Sequence, residues 1–147
     1  MTHKIMIRWL AVFCLAVLVY SPPGLAQDSQ IFRLLTFTTQ GNSRLGATRG
    51  NGSTDIVDIH NAVRYLMREQ PEEAGRLSYI PADMKTLIEA GSDSIAQVRR
   101  VYETITRLQS SGRFSEPGGA ERVFHPPASV RYLPPVPNPS KVLGLAG

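Results

Sequence analysis

The feature that most constrains this chain is a change of apolar period at Asp58-Ile59. Before it, Ile31 to Thr39 is rich in β-branched and aromatic residues, the composition of a strand. Gln40-Gly41-Asn42-Ser43 supplies a turn, Arg44 to Arg49 a returning strand, Gly50-Asn51-Gly52-Ser53 a second turn, and Thr54 to Ile59 a third strand. After it, His60 to Gln70 places Ala62, Val63, Tyr65, Leu66 and Met67 at helix-compatible spacing until Pro71 ends the run. A period of two giving way to about 3.6 specifies a small β-meander followed by helices, an α+β fold.

The helical part continues with clear punctuation. Glu72 to Tyr79 is polar and reads as loop, and Asp83 stands where it would N-cap a short helix from Met84 to Ala90 that Gly91 terminates. Ser92 or Asp93 is expected to cap a longer helix whose Ile95, Val98, Tyr102, Ile105 and Leu108 form one apolar stripe. Arg99, Arg100 and Glu103 occupy its other face, and Arg107 lies in the last turn, where the helix dipole favours a cation. Ser110 to Pro127 is rich in Gly, Ser, Pro and charge and reads as a linker-like loop. Val130, Tyr132 and Leu133 then make a short strand, and Pro134, Pro135, Pro137 and Pro139 hold an extended backbone with few N–H donors. The apolar run Lys141 to Gly147 follows, with the pattern of a buried strand.

Part of the apolar content belongs elsewhere than in a core. Lys4 and Arg8 form a positive segment, Trp9 to Tyr20 a continuous apolar one, and Gly24-Leu25-Ala26 a small-x-Ala site. The apolar run is shorter than the roughly 20 residues of a spanning helix, and Pro22 and Pro23 break it, so the expectation is a signal peptide cleaved after Ala26 and no stable membrane anchor. That implies an exported protein, periplasmic or secreted. The expected organisation is a signal peptide at 1–26, a small α+β domain at 27–109, a linker-like loop at 110–128 and a Pro-rich junction with a strand at 129–147.

Cys14, the one cysteine, lies inside the apolar segment, far from where a lipid-modified cysteine would stand. Cleavage would therefore remove all disulfide and thiolate chemistry. It would also remove two of the 16 basic residues, leaving 14 against 12 acidic ones, a net charge of +2 rather than +4. No Lys/Arg cluster with interleaved aromatics is present, which argues against a nucleic-acid partner.

No catalytic chemistry is legible in the residues. His60 and His125 are far apart and show no metal-ligand spacing; His60 is expected to cap or pack at a helix start, and His125, before Pro126-Pro127, to lie in exposed loop. Asp55 and Asp58 fall three apart on an expected strand, so their side chains point to opposite faces, and Glu72 and Glu73 read as a solvated pair. Ser92, Ser94, Ser110 and Ser111 lack the strained turn of a nucleophile elbow, and Gly50-Asn51-Gly52 lacks the spacing and following helix of a phosphate cradle.

One resemblance covers most of residues 31–147. Leu133, Pro134, Pro135, Val136, Pro137, Pro139 and Lys141, followed by Val142 to Gly147, resemble the junction of the fumarylacetoacetate hydrolase family, where a Pro-rich segment and a lysine lead into the first strand of the catalytic domain. Arg44-Leu45-Gly46, the strand Ile56 to Ile59 with its Asp58, and the helix Asp83 to Gly91 are similar to amino-terminal elements of the same family. The resemblance implies hydrolysis of carbon–carbon bonds, or decarboxylation, in β-diketo acids such as acylpyruvates, with Mg²⁺ or Mn²⁺ held by carboxylates of the catalytic domain. It places the metal ligands and the catalytic His-Glu pair beyond Gly147, so no residue of this sequence inherits a catalytic, cofactor-binding or metal role, and this chain is expected to hold no cofactor of its own. The expected reading is the amino-terminal, non-catalytic portion of an exported family member whose partner is a missing or separate catalytic domain. An alternative of another class is a stand-alone exported binding module whose edge strand Val142 to Leu145 pairs with a partner.

Overall fold

The computed structural model describes residues 31–49 and 55–136. The expected signal peptide, the turn Gly50 to Ser53 and the run Lys141 to Gly147 lie outside the described residues. In chain order the elements are β1 (Phe32–Thr39), β2 (Asn42–Arg49), β3 (Ile56–Asp58), α1 (Ile59–Glu69), α2 (Pro71–Ala74), α3 (Met84–Ala90), α4 (Ser92–Ser110), β4 (Phe124–His125) and β5 (Arg131–Leu133), with single 3₁₀ turns at Gly119–Glu121 and Pro127–Ser129. The fold is α+β, as the change of period requires. The five strands form one antiparallel sheet in the order β4-β3-β2-β1-β5.

The meander starts from a tight hairpin. Thr39 pairs with Asn42 across only Gln40 and Gly41, whose φ values of 51° and 82° are both positive, the geometry that matches the right-handed twist of the two strands. The register then sorts side chains by face: Leu34, Leu45, Ala47, Val57 and Phe124 point to the helices, while Leu35, Phe37, Gly46, Ile56 and His125 point the other way. The helix-side residues join Ile59, Ala62, Tyr65 and Leu66 of α1, Met84 and Leu87 of α3, and Val98, Val101, Tyr102, Ile105 and Leu108 of α4 in the main core. The stripe expected on α4 is the one it buries, with Ile95 packed at its margin.

The opposite face carries a second, smaller core. β4 and β5 lie at the two ends of the sheet order, yet five residues join them. A flat sheet would hold β1 and β4 about 14 Å apart, three strand spacings. Instead the sheet curls, and the Phe37 ring on β1 stands 5.5 Å from the His125 ring on β4. Gly46 makes the curl possible: a Cβ there would lie 2.8 Å from Ile56 Cγ2 and 3.0 Å from both Leu35 Cδ1 and Phe37 Cδ1. Phe37 and Ile56 are fully buried on this inner face.

Several sequence expectations need correction. Ile59 ends no strand; it is the first residue of α1, because Asp58 caps the helix and so stops the extended backbone one residue earlier. The expected loop Glu72 to Tyr79 opens with the short helix α2, with Pro71 at its first position. α4 has Gly91 at its N-cap, with φ 82°, and no side-chain cap from Ser92 or Asp93; Gly91 serves as the end of α3 and the start of α4 together. The linker expected over 110–128 contributes β4 to the sheet, and His125 is buried rather than exposed. Glu116 explains why so short a strand persists: its Oε1 accepts from the N–H groups of Val123 (2.6 Å) and Phe124 (3.4 Å), covering the outer edge of β4.

The cap of α3 is as expected and carries a pH dependence. The Asp83 carboxylate accepts from the Thr86 N–H (3.0 Å) and the Thr86 hydroxyl (2.8 Å), and these bonds hold its pKa below the ordinary aspartate value. Because the folded-state pKa is the depressed one, the cap's contribution is complete above the ordinary carboxylate range and is lost as pH falls through the folded value. Asp83→Ala is expected to cost about 1 kcal/mol at neutral pH and progressively less in acid. Urea midpoints of both proteins across that range measure it; a difference that stays constant down to strong acid would show that the carboxylate is not the cap.

Candidate functional site

The residues considered for chemistry are mostly occupied with structure. Asp58 is fully buried, and its Oδ1 accepts from the Asn61 N–H (3.0 Å) at the start of α1. Its Oδ2 has no hydrogen-bond partner among the described residues but lies 3.4 Å from Arg44 Nη1, a charge contact of poor hydrogen-bond geometry. Asn61 continues the network: its amide donates to the carbonyls of Ala120 and Arg122 (2.9 Å each), and the His125 ring Nε2 is 3.2 Å from that same Arg122 carbonyl. The arrangement pins the 118–125 segment to β3 and α1, and its carboxylate is committed to a helix N-terminus and an arginine.

Asp55, by contrast, is exposed just before β3. Glu72 and Glu73 lie in the first turn of α2, where Glu73 faces Arg76 (3.7 Å) and Arg107 (3.5 Å). Ser110 and Ser111 donate to the carbonyls of Arg107 and Leu108 and so close the end of α4, and Ser92 opens it. Among the described residues no three His, Cys, Asp or Glu side chains gather where they could hold a metal ion. A hard divalent cation needs several carboxylate or carbonyl oxygens turned to one point. Asp58, with a peptide N–H on one oxygen and a guanidinium beside the other, does not fit Mg²⁺ or Mn²⁺.

The surface offers instead an apolar groove of about 370 Å³ between α1 and the loop 77–82. Its floor is Leu45 of β2 with Ile59 and Val63 of α1, and Leu77 and Ile80 close the far wall. Its origin lies in the width of α1's apolar face. Ile59, Ala62 and Leu66 turn into the core, and Tyr65 packs its ring on Phe114 (4.6 Å between centroids, 45° tilt), which leaves Val63 and Met67, one turn apart, as a second apolar ridge that lines the groove and is only partly covered. Met67 is 62% exposed and Tyr79, on the opposite rim, 75%.

Compared with known proteins, the chain matches no family model, no curated protein and no solved structure. The groove is thus defined by its own geometry. His60, expected to cap or pack, is an exposed member of α1 that lines it. Arg64, also at the rim, is held by Glu121 at 2.7 Å, and Arg68 Nη1 reaches the other Glu121 oxygen at 3.0 Å. These two arginines keep the Glu121 pKa below its ordinary value, and Arg68 Nε also meets Glu69 at 2.7 Å, so two cations face two carboxylates and the charge around Arg64 is balanced. A neutral rim over an apolar floor suits an apolar occupant more than an anionic one.

A second, smaller hollow adjoins the groove and shares Leu45 and Ala82 with it. It is lined by Thr36, Arg44, Met84 and Val136 among others. Reading the sequence residue by residue missed both. The available signal was Ala62, Val63, Tyr65, Leu66 and Met67 within six positions, more apolar side chains than one face of a helix can bury.

Proposed function

We propose that this chain is the amino-terminal, non-catalytic unit of an exported protein similar to the fumarylacetoacetate hydrolases, working with a catalytic domain that cleaves or decarboxylates β-diketo acids with Mg²⁺ or Mn²⁺. The observation that carries the reading is the exit from the fold. β5 runs directly into Pro134-Pro135-Val136, and the Thr36 hydroxyl donates to the Pro135 carbonyl at 2.7 Å. The chain after β5 is therefore fastened to the sheet at Pro135, where it bends through Pro135 and Val136, and an exit anchored at its root supports a junction to a further domain. The run of β-meander, Asp83-capped helix, Gly91 terminator and long α4 supports the same reading. No step of carbon–carbon cleavage is assigned to the described residues; their part is to hold the junction and to present the groove.

The apolar groove favours a second reading, a binding module without chemistry of its own. The two differ in a mixing experiment. Acylpyruvate hydrolysis in Mg²⁺ or Mn²⁺ is measured for residues 27–147 alone and with the polypeptide encoded directly downstream. The hydrolase-like reading expects activity only in the mixture. Inactivity in both, with no association between the two polypeptides, favours the binding module, and activity of residues 27–147 alone would overturn the non-catalytic assignment.

A further inference from the structure

We propose that the groove between α1 and the loop 77–82 is the seat of this chain's own apolar run Val142 to Leu145. The path of the backbone selects this occupant. Thr36 is the β1 partner of Leu45, which floors the groove, and the Thr36 hydroxyl holds Pro135. Val136 then lines the adjoining hollow with Thr36, Leu45 and Ala82, so the last described residue lies in the hollow that shares Leu45 and Ala82 with the groove. The amino-terminal described end is elsewhere: Phe32 pairs with Arg49 at the far end of the same hairpin, with its ring against Tyr102 (5.5 Å) and beneath Arg99 (5.1 Å). Of these two ends, the one at Val136 is the one next to the groove.

Length and chemistry agree with that path. From Val136 to Val142 is six residues, a reach of up to about 20 Å when extended. The groove follows α1 from His60 to Met67, about 10 Å of helix. Pro137, Asn138, Pro139 and Ser140 separate Val136 from Lys141, and Val142-Leu143-Gly144-Leu145 follows as an uninterrupted apolar run. Seating that run would cover Met67 and Tyr79, the two large apolar side chains left exposed on the groove's rims. In the hydrolase-like reading the same run would be the first strand of the catalytic domain, so a run seated here would mean that any following domain begins after Leu145, and it would equally close the surface of a stand-alone module.

Cysteine pairs test it in the full chain carrying Cys14→Ser. Met67→Cys with Leu143→Cys, and separately Tyr79→Cys with Leu143→Cys, are compared under mild oxidation with Ile88→Cys and Leu143→Cys. All three fold-side positions are exposed, so the substitutions leave the core intact, and Ile88 on α3 does not line the groove. A seated run raises the local thiol concentration, and the two groove pairs are expected to close an intramolecular disulfide about tenfold faster than the Ile88 pair. Equal rates for the three pairs would overturn the proposal. Linkage between molecules at the groove positions, rising with protein concentration, would overturn it in favour of a second copy as the occupant. Because this readout needs no catalytic partner and no metal, it fails or succeeds independently of the hydrolysis assay.

Discussion

Gly46→Val is expected to lower stability by about 3 kcal/mol, or roughly 15 °C in melting temperature for a domain of this size. β-strand propensity alone would predict a gain, since valine suits a strand and glycine does not. The inner face of the sheet reverses the sign. Even a first added carbon would meet Ile56 Cγ2 at 2.8 Å and the Leu35 and Phe37 side chains at 3.0 Å. Ile56 is β-branched and fully buried, so it cannot swing away without disturbing the Phe37–His125 contact that holds the curl. Gly118→Ala, where nothing lies within 4 Å and φ is −83°, is the matched control and should stay within about 0.5 kcal/mol of the parent. A cycle with Ile56→Ala isolates the cause. If the cost of Gly46→Val comes from that contact, the double variant is less destabilised than the sum of the two by at least about 1 kcal/mol. Additive losses would mean that the strain lies elsewhere.

What could be read from the sequence was what neighbouring residues decide among themselves. Asp83 three residues before Thr86, and Gly91 seven after Met84, fix α3 locally, and the repeat of Val98, Tyr102, Ile105 and Leu108 fixes which side of α4 is buried. The hairpin was legible because Gln40-Gly41 is flanked by strand-forming residues, although the turn proved two residues rather than four. The elements that escaped are those made by distant partners. Phe124-His125 has no strand signal of its own; it becomes β4 through pairing with Ile56 and Val57 and through the Glu116 carboxylate. The inner core is equally non-local, since nothing near Phe37 in sequence announces that His125 will reach its ring. The groove lay in between: the excess of apolar residues on α1 is visible in the sequence, but not which of them the sheet would leave uncovered.

Asp58→Ala should also cost about 3 kcal/mol, and its partial rescue separates two roles that the one carboxylate plays. As N-cap it receives the Asn61 N–H and starts α1; as a charge it faces an Arg44 side chain that is 20% exposed. Removing it leaves an orphan peptide donor at the helix start and a largely desolvated guanidinium without its counter-charge. The substitution Asp58→Asn would keep the first function, because asparagine is as able an N-cap as aspartate, and lose only the second. If the cap dominates, Asp58→Asn costs less than about 1 kcal/mol; if the buried charge pair dominates, Asp58→Asn is nearly as damaging as alanine and Arg44→Met relieves part of the loss. The structure favours the charge pair. Asp58 sits on the inner face beside Gly46 in the register, its Oδ2 has no other described group to satisfy it, and Asn61, which Arg44 Nη1 also approaches at 3.4 Å, carries the contacts that fasten residues 120 and 122. Losing the charge there would loosen the segment that delivers β4 and His125 to the sheet, so proteolysis of Asp58→Asn is expected to begin within residues 111–123 and not at the hairpin.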